Sequence, residues 1–498
     1  MKISKRIAVS AIFLICSNPF ILYSQEPIEV GLNSINSEDI IQTIGYLSSS
    51  RFKGRLPGTA EYDQAARYFG TRIKNAGLKP IGQQSMLHYF NDEVNIINEA
   101  QLLLLSADKR SFHRFNLGQD FICRGFTGSG TVKAEVVFAG FGMRTDEYSD
   151  YSNVDVKDKI VMVYKSAPPW VSKNGSWGDI SPRAKARIAQ QLGASAIIFI
   201  ADPQIFPKTM IYGSIACGNT PHLSDFPMLQ VGLNVSDSLF LGLPHKPDEL
   251  YYLIVDSRTP QSIYTGRSLM INVKTDYIAE KPTANVVGYI EGVDPKLKDE
   301  YVIIGAHLDH VGYQTESLFF PGANDNASGV ATLIAIAEAI KKSEVKPKRS
   351  ILIVAFSSEE SGLKGSKYFV ANSPVDLSKV VAMMNFDCVG QGDSISIGGR
   401  LSYPKLWTKA KRFDKKYTKL LSKKSFGGGG ADAEAFYSAG IPTLYFNTTN
   451  GYRYLHQNLD KAETINSELV EKVAQLGFLM TVELANGKYN GEKDRLKK

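Results

Sequence analysis

The sequence predicts an α/β protein: a mostly parallel mixed sheet with helices on both faces, accompanied by a smaller β-rich module. Three observations predict it. From Asn285 onward, short apolar strands alternate with helical stretches, the order of a parallel sheet covered on both sides. From about Phe115 to about Tyr264, short β-like runs are separated by turns, with one helical stretch among them. At 498 residues the chain also exceeds one ordinary hydrophobic core, so two domains are expected.

The elements follow in chain order. Lys2, Lys5 and Arg6 precede an apolar run from Ile7 to Cys16, and a second patch spans Phe20 to Tyr23. Asn18-Pro19 interrupts the run, and a membrane span needs about 20 consecutive apolar residues, so residues 1–24 read as an export signal cleaved near Ser24. The mature chain is then expected in the periplasm or outside the cell, without a stable membrane span. Asp39–Leu47 and Ala60–Ala76 carry apolar residues at helical spacing, joined by the turn-rich loop RFKGRLPGT. In the β-rich module, strands are expected at Val132–Ala139, Lys159–Tyr164, Ala196–Ile200 and Pro227–Val231, with a helix at Arg183–Leu192. In the second half, strands at Tyr301–Ala306, Ser350–Phe356, Val380–Phe386 and Pro442–Phe446 alternate with helices at Ser328–Lys342 and Leu363–Asn372. Ser328 is a candidate cap, and Asn466–Ala485 a closing helix.

Composition narrows the function classes. With 43% hydrophobic and 21% charged residues the chain is globular, not disordered. The formal charge of +7 becomes +4 once the three basic residues of the signal leave. The surplus lies in Lys411–Lys424, read as the solvated face of a helix, and in a basic tail ending at residues 491–498. No recognition motif accompanies it, so nucleic acid is not an expected partner. Beyond Cys16 of the signal, Cys123, Cys217 and Cys388 are odd in number and widely spaced, which is not a disulfide framework.

Chemistry gathers where strands of the second half end. The first ends in His307-Leu308-Asp309-His310, the second in Ser357-Ser358-Glu359-Glu360 and the third in Asn385-Phe386-Asp387. The loop Gly322–Gly329 contains Asp325, and His456 with Asp460 follows the fourth strand. In open α/β sheets, sites form in the crevice at the carboxyl ends of strands. Imidazoles and carboxylates suit zinc, whereas calcium prefers more oxygen ligands. Two histidines and three carboxylates suffice for two metals if one carboxylate bridges them. Taken alone, His307 reads better as a satisfied polar residue at a strand end, and Glu359-Glu360 as a solvated helix start.

The motifs HLDHVG, PGANDNASG, SSEESGLKGS, NFDCVG and LHQNLD, in this order, resemble the family-28 metallopeptidases, which include two-zinc aminopeptidases. RFKGRLPGT resembles that family's N-terminal segment. The resemblance implies a peptidase domain made of residues 25–114 and 265–490 and two Zn2+ per chain. Asp325 would bridge, with His307 and Asp387 on one ion and Glu360 and His456 on the other. It further implies Glu359 as general base toward water, Asp309 as the residue orienting His307, and a cis Asp325-Asn326 peptide. VVFAGFG, YSNVDVKDKIVMV, GASAIIFIADP and FPMLQVG resemble a protease-associated domain, implied to be inserted at residues 115–264.

The sequence also departs from the family. Ala433 stands where many relatives have a histidine, and Cys388 where methionine is common. No tyrosine occupies the usual oxyanion-supporting position, for which Tyr452 and Tyr454 are nearby substitutes. The expected activity is aminopeptidase action on peptides. Carboxypeptidase or dipeptidase action, glutaminyl cyclisation and a non-catalytic binding role are the alternatives, and retention of all five ligands and the base weighs against the last two.

Overall fold

The computed structural model describes residues 26–82, 85–108, 110–171, 177–203, 212–218 and 220–494. The expected export signal and residues 495–498 of the basic tail lie outside them. The α/β expectation holds. Strands Tyr301–His307, Ser350–Phe356, Val380–Phe386 and Thr443–Thr449 run parallel. Ser394–Gly398 closes the edge antiparallel to Thr443–Thr449.

Both faces of this sheet are covered, which explains why its strands are nearly all apolar. In strand Tyr301–His307, Val302, Ile304 and Ala306 face helices Ser37–Leu47, Ala60–Asn75, Ser328–Ser343 and Ser467–Asn486, while Ile303 faces the opposite side. Ser350–Phe356 alternates in the same way, its second set packing with Phe369 and Phe436 of helices Lys364–Ala371 and Ala433–Ser438. A period of two with both faces buried is what parallel strands require.

The sheet does not stop at the second half. Strand Ile263–Ile290 pairs antiparallel with Ser350–Phe356 through Val286–Ile290, and with Gly130–Phe138 through its first half. Along most of its length it also pairs with Leu87–Leu105. This ribbon carries one continuous 15-stranded sheet, counted over the described residues, into the β-rich module. There Ile160–Tyr164 and Ala196–Ile200 are fully buried parallel strands between two apolar clusters. Neither ribbon strand is legible in the sequence. Polar runs interrupt both, and Pro282 sits inside one, where proline ordinarily argues against a strand.

Two local expectations are corrected. Ser328 does not cap its helix: its hydroxyl donates to the Asn324 carbonyl at 2.6 Å, and the preceding Ala327 is already helical. The basic Lys411–Lys424 stretch is not one helix. The helix ends at Lys416, and the chain wraps back so that Leu420 and Leu421 amides bond to the buried Asp414 carboxylate. Cys123, Cys217 and Cys388 are all unpaired. No helix among the described residues is long and apolar enough to cross a membrane.

Candidate metal centre

Register brings the candidate ligands together. His307 pairs with Phe356 across the sheet, and Asn385 with Gly305, so three parallel strands end at nearly the same level. The residues that follow, Glu359 and Glu360 on one strand and Asp387 on another, therefore meet His307 at one edge. Asp325 arrives from the adjacent loop. Gly322, which opens that loop, has φ +61, and a Cβ there would stand 2.4 Å from the Asp325 carbonyl and 2.5 Å from the His310 ring. The Asp325-Asn326 peptide is cis.

Asp325 lies between two groups of donors. Its Oδ1 is 3.2 Å from His307 Nε2, which is also 3.2 Å from Asp387 Oδ1. Its Oδ2 is 3.2 Å from His456 Nε2, which is 2.9 Å from Glu360 Oε2. The five expected ligands thus form two clusters sharing one carboxylate. His310 joins the second: its Nδ1 is 2.9 Å from Glu360 Oε1 and 3.7 Å from Asp325 Oδ2. Its Nε2 is buried and without a hydrogen-bond partner. This geometry puts His310 in direct contact with a candidate ligand.

The donor chemistry fits divalent zinc. Imidazole nitrogens and carboxylate oxygens converge, with His307, Asp325 and Asp387 in one group and His310, Asp325 and Glu360 in another. Electrostatics agree. Burial alone would lower the His307 imidazole, but Glu359, Asp325 and Asp387 raise it well above its usual range. Burial is likewise overridden at His456, by Glu360 and Asp325. Against burial, His307 and His456 hold Asp325 well below the usual carboxylate range, and His456 and His310 hold Glu360 at about 2. The pocket collects negative charge, which a divalent cation would balance.

Glu359 behaves differently from its neighbour. Burial, reinforced by Glu360, Asp432 and Asp387 and opposed by His307, pushes its carboxyl well above the ordinary value. Two adjacent carboxylates are therefore driven apart, one fixed as an anion and one ready to hold a proton.

The surrounding shell is dense. Asp309 does not orient His307 through its carboxylate, which lies 3.8 Å from Nδ1; its backbone carbonyl meets Nδ1 at 3.1 Å. The carboxylate instead accepts the amides of Glu359 and Glu360 at 3.1 and 3.2 Å, tying the candidate base and candidate ligand to the His307 strand. Asp460 accepts the amides of Asn324 and Asp325. Tyr445, expected only as part of a strand, donates to Asp387 Oδ2 at 3.0 Å. Arg55, from RFKGRLPGT, is fully buried and donates to the carbonyls of Leu308, Leu47, Pro321 and Gly322. Asp432 is a buried carboxylate pushed up to about 7, mainly by burial and against the opposing influence of His307 and Ser366. A lone arginine in a polar loop and a tyrosine in a strand carry no sequence signal of such positions.

A cavity of about 440 Å3 opens onto the centre, lined by Glu360, His456 and Tyr452 on one side. Arg124, Lys165 and the 212–217 loop of the β-rich module line the other. The Gly213 amide donates to the His456 carbonyl at 2.8 Å, fastening the module to the site. Tyr452 reaches the cavity, and its hydroxyl lies 3.1 Å from that of Tyr445. Tyr454 does not line it; its ring lies under the Arg453 guanidinium, at 5.2 Å.

Residues 285–480, which carry every ligand candidate, match the sequence profile of peptidase family M28. Over 404 residues the chain is 26% identical to a glutamate carboxypeptidase 2 homolog of Caenorhabditis briggsae, covering 65% of the chain but 49% of that protein. It spans about half the length of that relative. It is 25% identical to aminopeptidase YwaD of Bacillus subtilis over 378 residues, 72% of this chain and 70% of that one. The M28 segment and its module together superpose on the structure of BSAP, a zinc aminopeptidase from Bacillus subtilis. The TM-score is 0.63 at 19% identity, covering 93% of this chain and 98% of that one, a likeness of fold.

Proposed function

We propose that this chain is an exported metallo-exopeptidase that binds two zinc ions and removes residues from the amino ends of peptides. The observation that carries the reading is the pair of clusters sharing Asp325, with Glu359 beside them as a carboxyl of raised pKa. His307, Asp325 and Asp387 would hold one ion, and Asp325, Glu360 and His456 the other. The names of the aminopeptidase relatives support the direction of cleavage, and the charged residues before Ile7 support export. Residues 115–264 are read as a protease-associated module whose 212–217 loop walls the cleft.

Zinc held there would supply Lewis acidity, able to polarise the scissile carbonyl and lower the pKa of water. The chain's own residues do the rest. Glu359 takes the proton of the attacking water as the new carbon–oxygen bond forms. It returns that proton to the amide nitrogen as the carbon–nitrogen bond breaks. Asp309 holds the Glu359 amide, fixing the base against the His307 strand. The Tyr452 hydroxyl stands at the cavity edge, where substrate would pass.

A second reading, cleavage from the carboxyl end, is favoured by two basic side chains in the cavity and by the names of the glutamate carboxypeptidase relatives. The deciding experiment compares peptides blocked at either end and measures zinc per chain in parallel. Loss of cleavage only on amino blocking, with two zinc ions, supports the aminopeptidase. Loss only on carboxyl blocking moves the assignment to a carboxypeptidase. Glu359→Gln is expected to keep its zinc and lose nearly all turnover; near-normal turnover sinks the base assignment.

A further inference from the structure

Arg124 and Lys165 both follow immediately on buried strands of the β-rich module, Phe121–Cys123 and Ile160–Tyr164, and both line the cavity that contains Glu360 and His456. Arg124 is only 7% exposed. Its Nη1 donates to Gln230 Oε1 at 2.8 Å and, at 3.5 Å, to the Tyr212 carbonyl, and its Nε is buried with no partner. No carboxylate pairs with it among the described residues. The Lys165 ammonium lies over the Tyr212 ring at 5.3 Å, also without an ion pair among the described residues. Asp202 is its acidic neighbour, too far for a salt bridge and shared with the buried Lys185.

Charges withdrawn from water without a counter-ion are costly, so proteins keep them where something charged binds. Here two cations share one cavity wall. Burial first, and Arg124 second, push Lys165 down to about 7, and burial lowers Arg124 to about 10; both groups would regain ordinary values beside an anion. Lys185 reinforces the arrangement: its ammonium donates to the carbonyls of Tyr164 and Ser166, holding the backbone on either side of Lys165. The opposite wall carries the Glu360 carboxylate, so an anion is steered to the Arg124 and Lys165 end of the cavity. At about 440 Å3 the cavity is of the size that holds small ligands.

We propose that Arg124 and Lys165 form an anion subsite that receives a carboxylate of the substrate while the scissile bond lies at the metal centre. The carboxylate is either the terminal one of a short peptide or the side chain of an acidic residue. The subsite rests on the exopeptidase reading for its kinetic consequence but not for its binding consequence.

The test therefore has two measurements on the zinc-loaded protein. In the first, glutarate binding is measured by calorimetry to the wild type and to Arg124→Gln, Lys165→Met and the charge-conserving Arg124→Lys. Glutarate should bind the wild type, weaken roughly ten- to hundred-fold in Arg124→Gln and Lys165→Met, and be partly restored in Arg124→Lys. In the second, kcat/KM is compared for a short peptide, its carboxyl-terminal amide, and amidated peptides differing by Glu against Gln. A preference for the free terminus assigns the terminal carboxylate, and a preference for Glu assigns the side chain. In either case the preference should collapse toward unity in Arg124→Gln, chiefly through KM. Equal kcat/KM for charged and neutral substrates, with glutarate bound equally by wild type and variants, overturns the proposal. Glutarate binding that depends on Arg124, in a protein that cleaves no peptide, keeps the subsite and rejects the exopeptidase reading.

Discussion

Arg55→Met probes how the metal centre is held. The guanidinium satisfies four buried carbonyls, with Nε on Leu308 at 2.7 Å, Nη1 on Leu47 and Pro321 at 2.8 and 2.9 Å, and Nη2 on Gly322 at 2.8 Å. Those carbonyls border the segments that carry His307 and Asp325. Methionine fills similar space and donates nothing. Each orphaned carbonyl costs about 1–3 kcal/mol, and relaxation recovers part of the sum. A buried charged network broken on one side typically loses about 3–5 kcal/mol, and we expect that range here. For a chain of this size the melting temperature should fall by about 3–5 °C. Zinc affinity should fall roughly ten- to hundred-fold, because the segments bearing the ligands lose their common tether. Arg55→Lys should recover little, since one ammonium cannot span four carbonyls. Arg51→Met, at an exposed position of the same loop, serves as control and should shift stability by less than about 0.5 kcal/mol. Thermal melts with and without zinc, plus competitive zinc titration, provide the measurements. A melting temperature within about 2 °C of wild type together with unchanged zinc affinity would refute the reasoning.

Further outcomes follow from the same geometry. Tyr445→Phe removes the hydrogen bond to Asp387 Oδ2 and should weaken zinc roughly ten-fold while leaving the fold intact, read by zinc titration and far-UV circular dichroism. Chelation should lower the melting temperature and zinc restore it, since an ion present at a thousand times its Kd contributes about 4 kcal/mol; a melt indifferent to chelator argues against a resident metal. Carboxylate preference should depend on pH. Burial, with Arg124 second, pushes Lys165 down to about 7, and it attracts an anion only when protonated, so the charged-to-neutral ratio of kcat/KM should be highest below pH 7 and fall as pH rises through it. Lys165→Met should flatten that profile, whereas Arg124, charged throughout, should leave a residual preference. Taking the ratio cancels the titration of Glu359.

Much of the centre is legible in the amino-acid sequence. Tyr301–His307 and Ser350–Phe356 are short and apolar because both their faces are buried, and polar residues can begin only where the strands leave the sheet. A clustering of His307, Asp325, Glu359, Glu360 and Asp387 at one edge follows from that local rule plus parallel register. The helices Ala60–Asn75 and Ser467–Asn486 are readable for a similar reason, since their apolar spacing reflects a face set within a few turns.

What the tertiary structure decided depends on residues far apart in sequence. Strands Leu87–Leu105 and Ile263–Ile290 are held by each other, with partners some 160–200 residues apart, so neither needs an apolar pattern of its own. Arg55 reads as a solvated loop residue until four carbonyls from three segments close around it. Asp309 addresses two backbone amides rather than the histidine two residues earlier, because distance in space and not spacing in sequence sets who bonds whom. Arg124 and Lys165 end strands of a different module, and only docking of the 212–217 loop against His456 turns their charge toward the metal ligands. Sequence alone determined the chemistry of the candidate metal ligands, because strand burial is a local constraint. Tertiary structure decided what surrounds them and which substrate charge the cavity invites, because long-range packing alone fixes those distances.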